Sequence, residues 1–350
     1  MEFGIALTST VDSWKAVQRA EELGFDYAWF YDTQMLCADV FVAMALAAEH
    51  TSRIRLATGV LVPTNRIAPV SANALASLNA MAPGRVVFGV GTGFTARNTM
   101  GLKPMPLADL REYIRVVRAL LAGETVEWSV ENTTRKIRFL NPDAGLINIA
   151  DPIPVHVSAF APRARALTAE VAEGWLNFIT ILPLAVHEVG AMRSACEAIG
   201  RDSSSLYATA FALGCVLADG ERADGPRARA QAGPLVPVFF HALMEGAVDP
   251  TTLPDDLRRA LDEFRAQYQT YQPADARYLQ LHTGHLMWVR PEEERFVTAD
   301  LLRATTLTGT VTEIRAHVRA LADAGYDQVA IQLVPGQESA LDDWAQVFEL

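Results

Sequence analysis

Short apolar runs alternate with longer amphipathic stretches along most of the chain. Residues 3–7 form a solidly apolar run, the signature of a strand buried on both faces. Asp12 then stands where it can cap a helix that carries Trp14, Val17 and Ala20 to Leu23, with Gly24 behind it for a left-handed end. The couplet repeats as strand 27–31 and helix 39–50, strand 54–62 and helix 69–81, then strand 85–90 and helix 106–122. A polar stretch at 124–151 breaks the rhythm and reads as a hairpin insertion. Strand 154–158, helix 162–172, strand 174–178, helix 183–199 and strand 208–217 follow. A long excursion at 219–303, with helices near 227–244 and 255–271, precedes helix 312–324, strand 328–334 and a closing helix at 339–348.

Strands joined by helices at roughly 30 residues per unit predict a parallel sheet with helical crossovers. Eight such units are the number that closes a (β/α)8 TIM-like barrel. The rival, an open doubly wound sheet, needs a glycine fingerprint after its first strand, and residues 7–12 contain no glycine. The expectation is one α/β barrel domain over 1–350, with insertions at 124–151 and 219–303.

Half of the residues are hydrophobic, enough for a large core. The formal charge of -11 argues against a nucleic-acid partner, which would require a basic surface. The N-terminus shows no signal segment, and no apolar run reaches the roughly 20 residues that span a bilayer, so neither export nor a membrane partner is expected. Cys37, Cys196 and Cys215 are scattered and odd in number, which fits a reducing cytoplasm.

A barrel of this kind keeps its active site where the strands end. Those ends are Thr8 and Ser9, then 32–34, 58–61, 91–95, 158–161, 177–180 and 332–335. They are small, polar and glycine-rich. They supply neither a carboxylate pair for hydrolysis nor converging metal ligands, and they suit a flat ligand held by amides and hydroxyls. In GVGTGF at 89–94, the glycines serve either a tight turn or, through their missing side chains, the approach of a ring to the backbone. In SAFAPRARALTAEVAEGW at 158–175, a helix start beside Arg163 offers a phosphate seat, while Arg165 reads as a solvated residue. The excursion holds HTGH, which reads either as acid/base or proton-shuttle histidines over a ring, His282 and His285, or as a structural loop with one satisfied histidine. No carboxylate lies near them in sequence to complete a metal site, and His241, beside Phe239 and Phe240, reads as packing.

The series FGIALTSTVDSWKAVQRAEELGFDYAWFYD, TSRIRLATGVLVPTNRIAPV, APGRVVFGVGTGF and GLKPMPLADLREYIRVVRALLAGETV resembles the luciferase-like monooxygenase superfamily, as do PIPVHVSAFAPRARALTAEVAEGW and LTGTVTEIRAHVRALADAGYDQVAIQLVPG. The resemblance covers 1–219 and 300–350, and the GLKP helix is similar to the branch of methylenetetrahydromethanopterin reductase. It implies a bacterial luciferase-like barrel with a flavin-type ring at the strand ends. A third-strand bulge at Thr58, Gly59 and Val60, often with a non-prolyl cis peptide, would support that ring. Asp32 would lie near it, Gly91 and Gly93 would line it, and Ser158, Ala159, Phe160, Ala161 and Arg163 would hold ring edge or phosphate. Many deazaflavin-dependent relatives carry Asp-His after strand two, whereas this chain has Asp32-Thr33.

The resulting expectation is a monooxygenase that uses reduced FMN and oxygen on a small-molecule substrate, with Asp32, His282 and His285 as catalytic candidates. Such an enzyme would be served by a separate flavin reductase and would form a homodimer. The alternatives are a coenzyme F-420-dependent reductase or dehydrogenase, and a non-catalytic flavin-binding protein.

Overall fold

The computed structural model describes residues 1–179, 181–246 and 255–349. Its strands are β1 (Glu2–Leu7), β2 (Tyr27–Phe30), β3 (Arg55–Thr58), β4 (Val86–Val90), β5 (Val126–Val130), β6 (Thr133–Ile137), β7 (Val155–Ser158), β8 (Gly174–Phe178), β9 (Tyr207–Ala212), β10 (Gly214–Leu217), β11 (Leu307–Thr310) and β12 (Gln328–Leu333). Eight of them close a parallel barrel in the order β1-β2-β3-β4-β7-β8-β9-β12 and back to β1. Helices cover the outside, as parallel strands require. The polar stretch after β4 and its helix folds as the antiparallel hairpin β5–β6, turned by Glu131 and Asn132 at positive φ.

The strands serve two cores because alternate residues point to opposite faces. Outward residues such as Ile5, Phe30, Leu56, Phe88 and Val157 pack against the helices. Inward residues Ala6, Trp29, Ala57, Val87, Phe211 and Ala330 fill the barrel. The Trp29 indole N–H donates to Gln328 Oε1 at 2.9 Å, which satisfies the polar atom of the largest plug.

Three elements differ from the sequence expectation, each for a local reason. The third strand ends at Thr58 rather than running to 62, and the chain rejoins the wall only through a bridge between Leu61 and Val90. The expected strand 208–217 divides at Leu213 into β9, which stays in the barrel, and β10, which leaves it to pair with β11. Gly214 permits that departure, since a Cβ there would lie 2.3 Å from the Leu307 carbonyl oxygen. Helix 227–244 breaks into Pro226–Gln231 and Leu235–Met244, because Pro234 has no N–H to continue the ladder.

The described residues between β10 and β11, 218–246 and 255–306, form a lid with its own core around Phe240, Phe264, Phe296 and Leu302. No helix among the described residues is long and apolar enough to cross a membrane.

His156 on β7 points into the barrel between Trp29 and Tyr207, and burial, helped by the charge of Arg55, lowers its pKa to about 3. An unfolded chain binds that proton near 6.5, so it holds more protons than the fold between about 6.5 and 3. Stability therefore falls as pH drops through that window, by up to about 1.4 kcal/mol per unit. His156→Leu is expected to flatten the acid limb by that amount. Urea melts at several pH values would show it, and parallel limbs in the two proteins would refute it.

Candidate active site at the barrel mouth

The parity of each strand fixes which residues reach the mouth. Two positions beyond inward Trp29 stands Tyr31, beyond Leu176 stands Phe178, and beyond Ala330 stands Gln332. The same count along β4 passes Val87 and Gly89 and ends on Gly91. Tyr31, Val60 and Phe178 are half-buried, so the barrel opens at this end. A Cβ on Gly91 would stand 3.0 Å from Val60 Cγ2 and 3.5 Å from Ser158 Cβ. Without that atom, Gly91 presents bare backbone between Val60, after the third barrel strand, and Ser158, at the end of the fifth. The Gly59–Val60 peptide is cis, at the segment where the resemblance puts the bulge.

Tyr31 and Gln332 form the polar part of this mouth. The Tyr31 hydroxyl donates to Gln332 Oε1 at 2.8 Å, and Gln332 Nε2 donates to the Leu286 carbonyl of the lid at 3.1 Å. Burial raises the pKa of Tyr31, so the phenol keeps its proton. Tyr31 falls just outside the strand ends read from the sequence, although counting two residues on from Trp29 finds it, while Phe178 lies within the expected end at 177–180.

The remaining candidates divide between mouth and wall. Ser158 stands at the mouth beside Gly91. Thr58 is fully buried and donates to the Gly89 carbonyl at 2.6 Å, which pins β3 to β4. Gly93 sits at φ +77°, where a Cβ would be 2.6 Å from Val62 Cγ1, so turn geometry alone demands glycine there. Ala159 is buried, and its carbonyl accepts from the Trp175 indole at 2.7 Å. Phe160, Ala161 and Arg163 are exposed where helix Pro162–Val171 begins. Arg165 is not solvated as expected; it is half-buried, 3.9 Å from Glu188.

Asp32 is buried, and parity turns it away from the barrel axis. Its carboxylate accepts the Val62 N–H at 3.0 Å and two bonds from Arg66 at 3.0 and 2.9 Å. Arg66 also reaches Asp39 and lies over the Phe41 ring. The carboxylate assigned from the sequence to catalysis thus fastens the β2 loop to the β3 loop. Asn177 likewise faces the helix layer, donating to Glu188 and Tyr326, each at 2.7 Å. Thr180 lies outside the described residues.

The lid meets the mouth at three places. His285 Nε2 lies 3.5 Å from Thr95 Oγ1, Leu286 receives the bond from Gln332, and Tyr278 packs on Gly101, where a Cβ would be 2.8 Å from its ring. Burial, reinforced by neighbouring His282 and His241, pushes the pKa of His285 well down, so its ring is neutral. His282 is 1% exposed and bonded to Glu245 at 2.6 Å, a carboxylate the sequence did not place near it. His241 is more than packing: its Nε2 meets Glu293 Oε1 at 3.1 Å, and its ring stands 6.0 Å from that of His282 and 5.7 Å from that of His285. At the lid edge a cleft of about 640 Å³ opens, lined by Met287, Trp288, Val289, Val334 and Pro335.

A closed parallel barrel with helices between its strands and a lid over the C-terminal mouth is a (β/α)8 barrel. The sequence profile described as luciferase-like monooxygenase matches residues 6–328, and the chain belongs to that family. It is 26% identical over 329 residues to the 5,10-methylenetetrahydromethanopterin reductase of Methanolobus tindarius, spanning 92% of this chain and 90% of the relative. It is 31% identical over 218 residues to the F420-dependent glucose-6-phosphate dehydrogenase of Kineococcus radiotolerans, spanning 55% of this chain and 60% of the relative. Among solved structures, the coenzyme F420 dependent tetrahydromethanopterin reductase from Methanopyrus kandleri superposes with a TM-score of 0.70 at 20% identity, covering 99% of this chain and 97% of that one. A type II Baeyer-Villiger monooxygenase of Pseudomonas putida, in complex with FMN, superposes with a TM-score of 0.66 at 15% identity, covering 99% and 95%. The chain is an oxidoreductase by this kinship.

Proposed function

We propose that this chain is a coenzyme F-420-dependent oxidoreductase that moves a hydride between the deazaflavin and a small organic substrate under the lid. The observation that carries this reading is similarity along nine-tenths of the chain to a reductase, joined to a second relative named for its F420 dependence. It reverses the order expected from sequence, which put reduced FMN and oxygen first. The non-catalytic alternative has no support among these relatives.

A planar ring would lie at the mouth against the side-chain-free backbone of Gly91, with Val60 on one side and the Ser158 hydroxyl on the other. Exposed Arg163 at a helix start is suited to an anionic tail. When bound, the deazaflavin supplies or accepts a hydride. The protein's part is to bind, orient and exclude water. Tyr31, its hydroxyl proton engaged by Gln332, keeps a lone pair that can accept a hydrogen bond from the substrate, while the lid shuts solvent out through Leu286 and His285. Thr33 in place of the usual histidine removes that base, which favours reduction of the substrate over oxidation of an alcohol.

A second reading, an FMN-dependent monooxygenase served by a flavin reductase, is favoured by the similarity to the FMN-bound Baeyer-Villiger enzyme. Fluorescence titration with both cofactors and oxygen-uptake assays separate the two. Saturable F-420 binding, at least ~10-fold tighter than FMN, is expected, with no oxygen uptake on reduced FMN. Preference for FMN together with substrate-dependent oxygen uptake would overturn the first reading. A homodimer is proposed through exposed Val42, Ile67, Val70 and Met81 on the second and third helices.

A further inference from the structure

We propose that His241, His282 and His285 form a binding site for a zinc-class divalent cation inside the lid, at its junction with the barrel mouth. One ring nitrogen from each lies within 4.8 Å of the other two. The Nδ1 atoms of all three are buried and have no hydrogen-bond partner. Buried, unpartnered imidazole nitrogens on three clustered histidines are costly unless something binds them.

The opposite nitrogens are spoken for in the manner of metal-ligating histidines. His241 Nε2 pairs with Glu293 at 3.1 Å and His282 Nε2 with Glu245 at 2.6 Å, so two of the three rings have a carboxylate behind them. Arg290 in turn bonds Glu293, and that carboxylate is held fixed. A carboxylate on the far nitrogen orients the ring and sets the tautomer that leaves Nδ1 its lone pair. Three nitrogen ligands without a carboxylate in the inner set select zinc or its first-row neighbours over magnesium or calcium.

Zinc–nitrogen bonds of about 2.0–2.1 Å place tetrahedral ligand atoms roughly 3.3 Å apart, so the rings must close inward on binding. His285 has the room to do so. It is the least buried of the three, and its contact with Thr95 at 3.5 Å is a weak one. Closing it onto an ion shared with His241 and His282 would tie the segment after helix Tyr278–Leu281 to helix Leu235–Met244. That is the part of the lid that meets Thr95 and Gln332 at the mouth. The inference does not depend on which cofactor the mouth takes.

The experiment uses the whole chain, stripped with a chelator and titrated with cobalt(II) and zinc. One equivalent per chain is expected, with the visible absorption of tetrahedral cobalt(II) and displacement by zinc. His285→Gln, at the rim of the cluster, should weaken binding at least ~100-fold, and Glu293→Gln about 10- to 100-fold, as loss of an outer carboxylate does. Hydrogen exchange should slow on metal addition in 235–246 and 278–290, and remain unchanged in the barrel. Should His285→Gln fail to fold, stoichiometry and spectrum of the unaltered protein still decide. No stoichiometric binding, an octahedral spectrum of the kind surface histidines give, or undiminished affinity in His285→Gln would each overturn the site.

Discussion

Gly91→Val is expected to abolish cofactor binding while leaving the barrel folded. Gly91 points inward at the end of β4, and even a Cβ would approach Val60 Cγ2 to 3.0 Å. Its φ does not lie in the left-handed region, so the backbone accepts a side chain there. The two valine methyls would add bulk beside Val60 and Ser158, where the ring is proposed to lie. A loss of at least ~100-fold in affinity is expected, about 2.7 kcal/mol, with Gly91→Ala falling between. Gly93, which the sequence alone makes equally attractive, is the wrong probe. It sits at φ +77° with Val62 Cγ1 at 2.6 Å, so Gly93→Val strains the turn whatever binds. The check is cofactor titration beside thermal melts for both variants. Full affinity in folded Gly91→Val would remove the ring from this position.

The second large effect belongs to the lid. Arg290 is 5% exposed, and its guanidinium bonds Glu293, the Tyr271 hydroxyl at 2.7 Å and the Gln280 carbonyl at 2.7 Å. Burial pushes the pKa of Glu293 up, but its bonds to His241 and Arg290 outweigh this and hold it below the ordinary carboxylate range. Arg290→Met removes one partner and strands the other charge beside a neutral imidazole. Breaking a buried pair in this way costs about 3–5 kcal/mol. The lid has its own core, so the loss should fall there and spare the barrel. Limited proteolysis and hydrogen exchange should show the lid opening at lower denaturant while the β1–β4 half keeps its protection. Uniform loss across both parts would refute an independently cooperative lid.

The barrel was legible because its signal is local. Each strand is a short apolar run closed by a turn residue, and each helix repeats every three or four residues, so eight couplets can be counted without tertiary knowledge. The mouth was half legible. Gly91 and Val60 announce themselves through the glycine-rich loop and the family bulge. Tyr31 looks like one more strand aromatic until parity turns it inward, and Asp32 looks catalytic until Arg66, 34 positions on, claims its carboxylate. The histidine cluster was invisible for a related reason. His241 and His282 are brought together by helices packing within the excursion, and no spacing rule encodes that meeting. Their carboxylates, Glu245 and Glu293, lie 37 and 52 positions from the histidines they serve.

The departure of β10 from the barrel wall determines what kind of object the lid is. It leaves from one strand of a parallel pair and returns into the neighbour, β11, so topologically it is an overgrown crossover of the kind that links every other pair of barrel strands. A connection anchored by hydrogen-bonded neighbours at both ends loses stability only with the logarithm of its length. The segment is therefore an exchangeable cassette. Its length can change at small entropic cost to the eight-strand register, whereas Leu286 and His285 must keep their contacts with Gln332 and Thr95 for the mouth to stay covered.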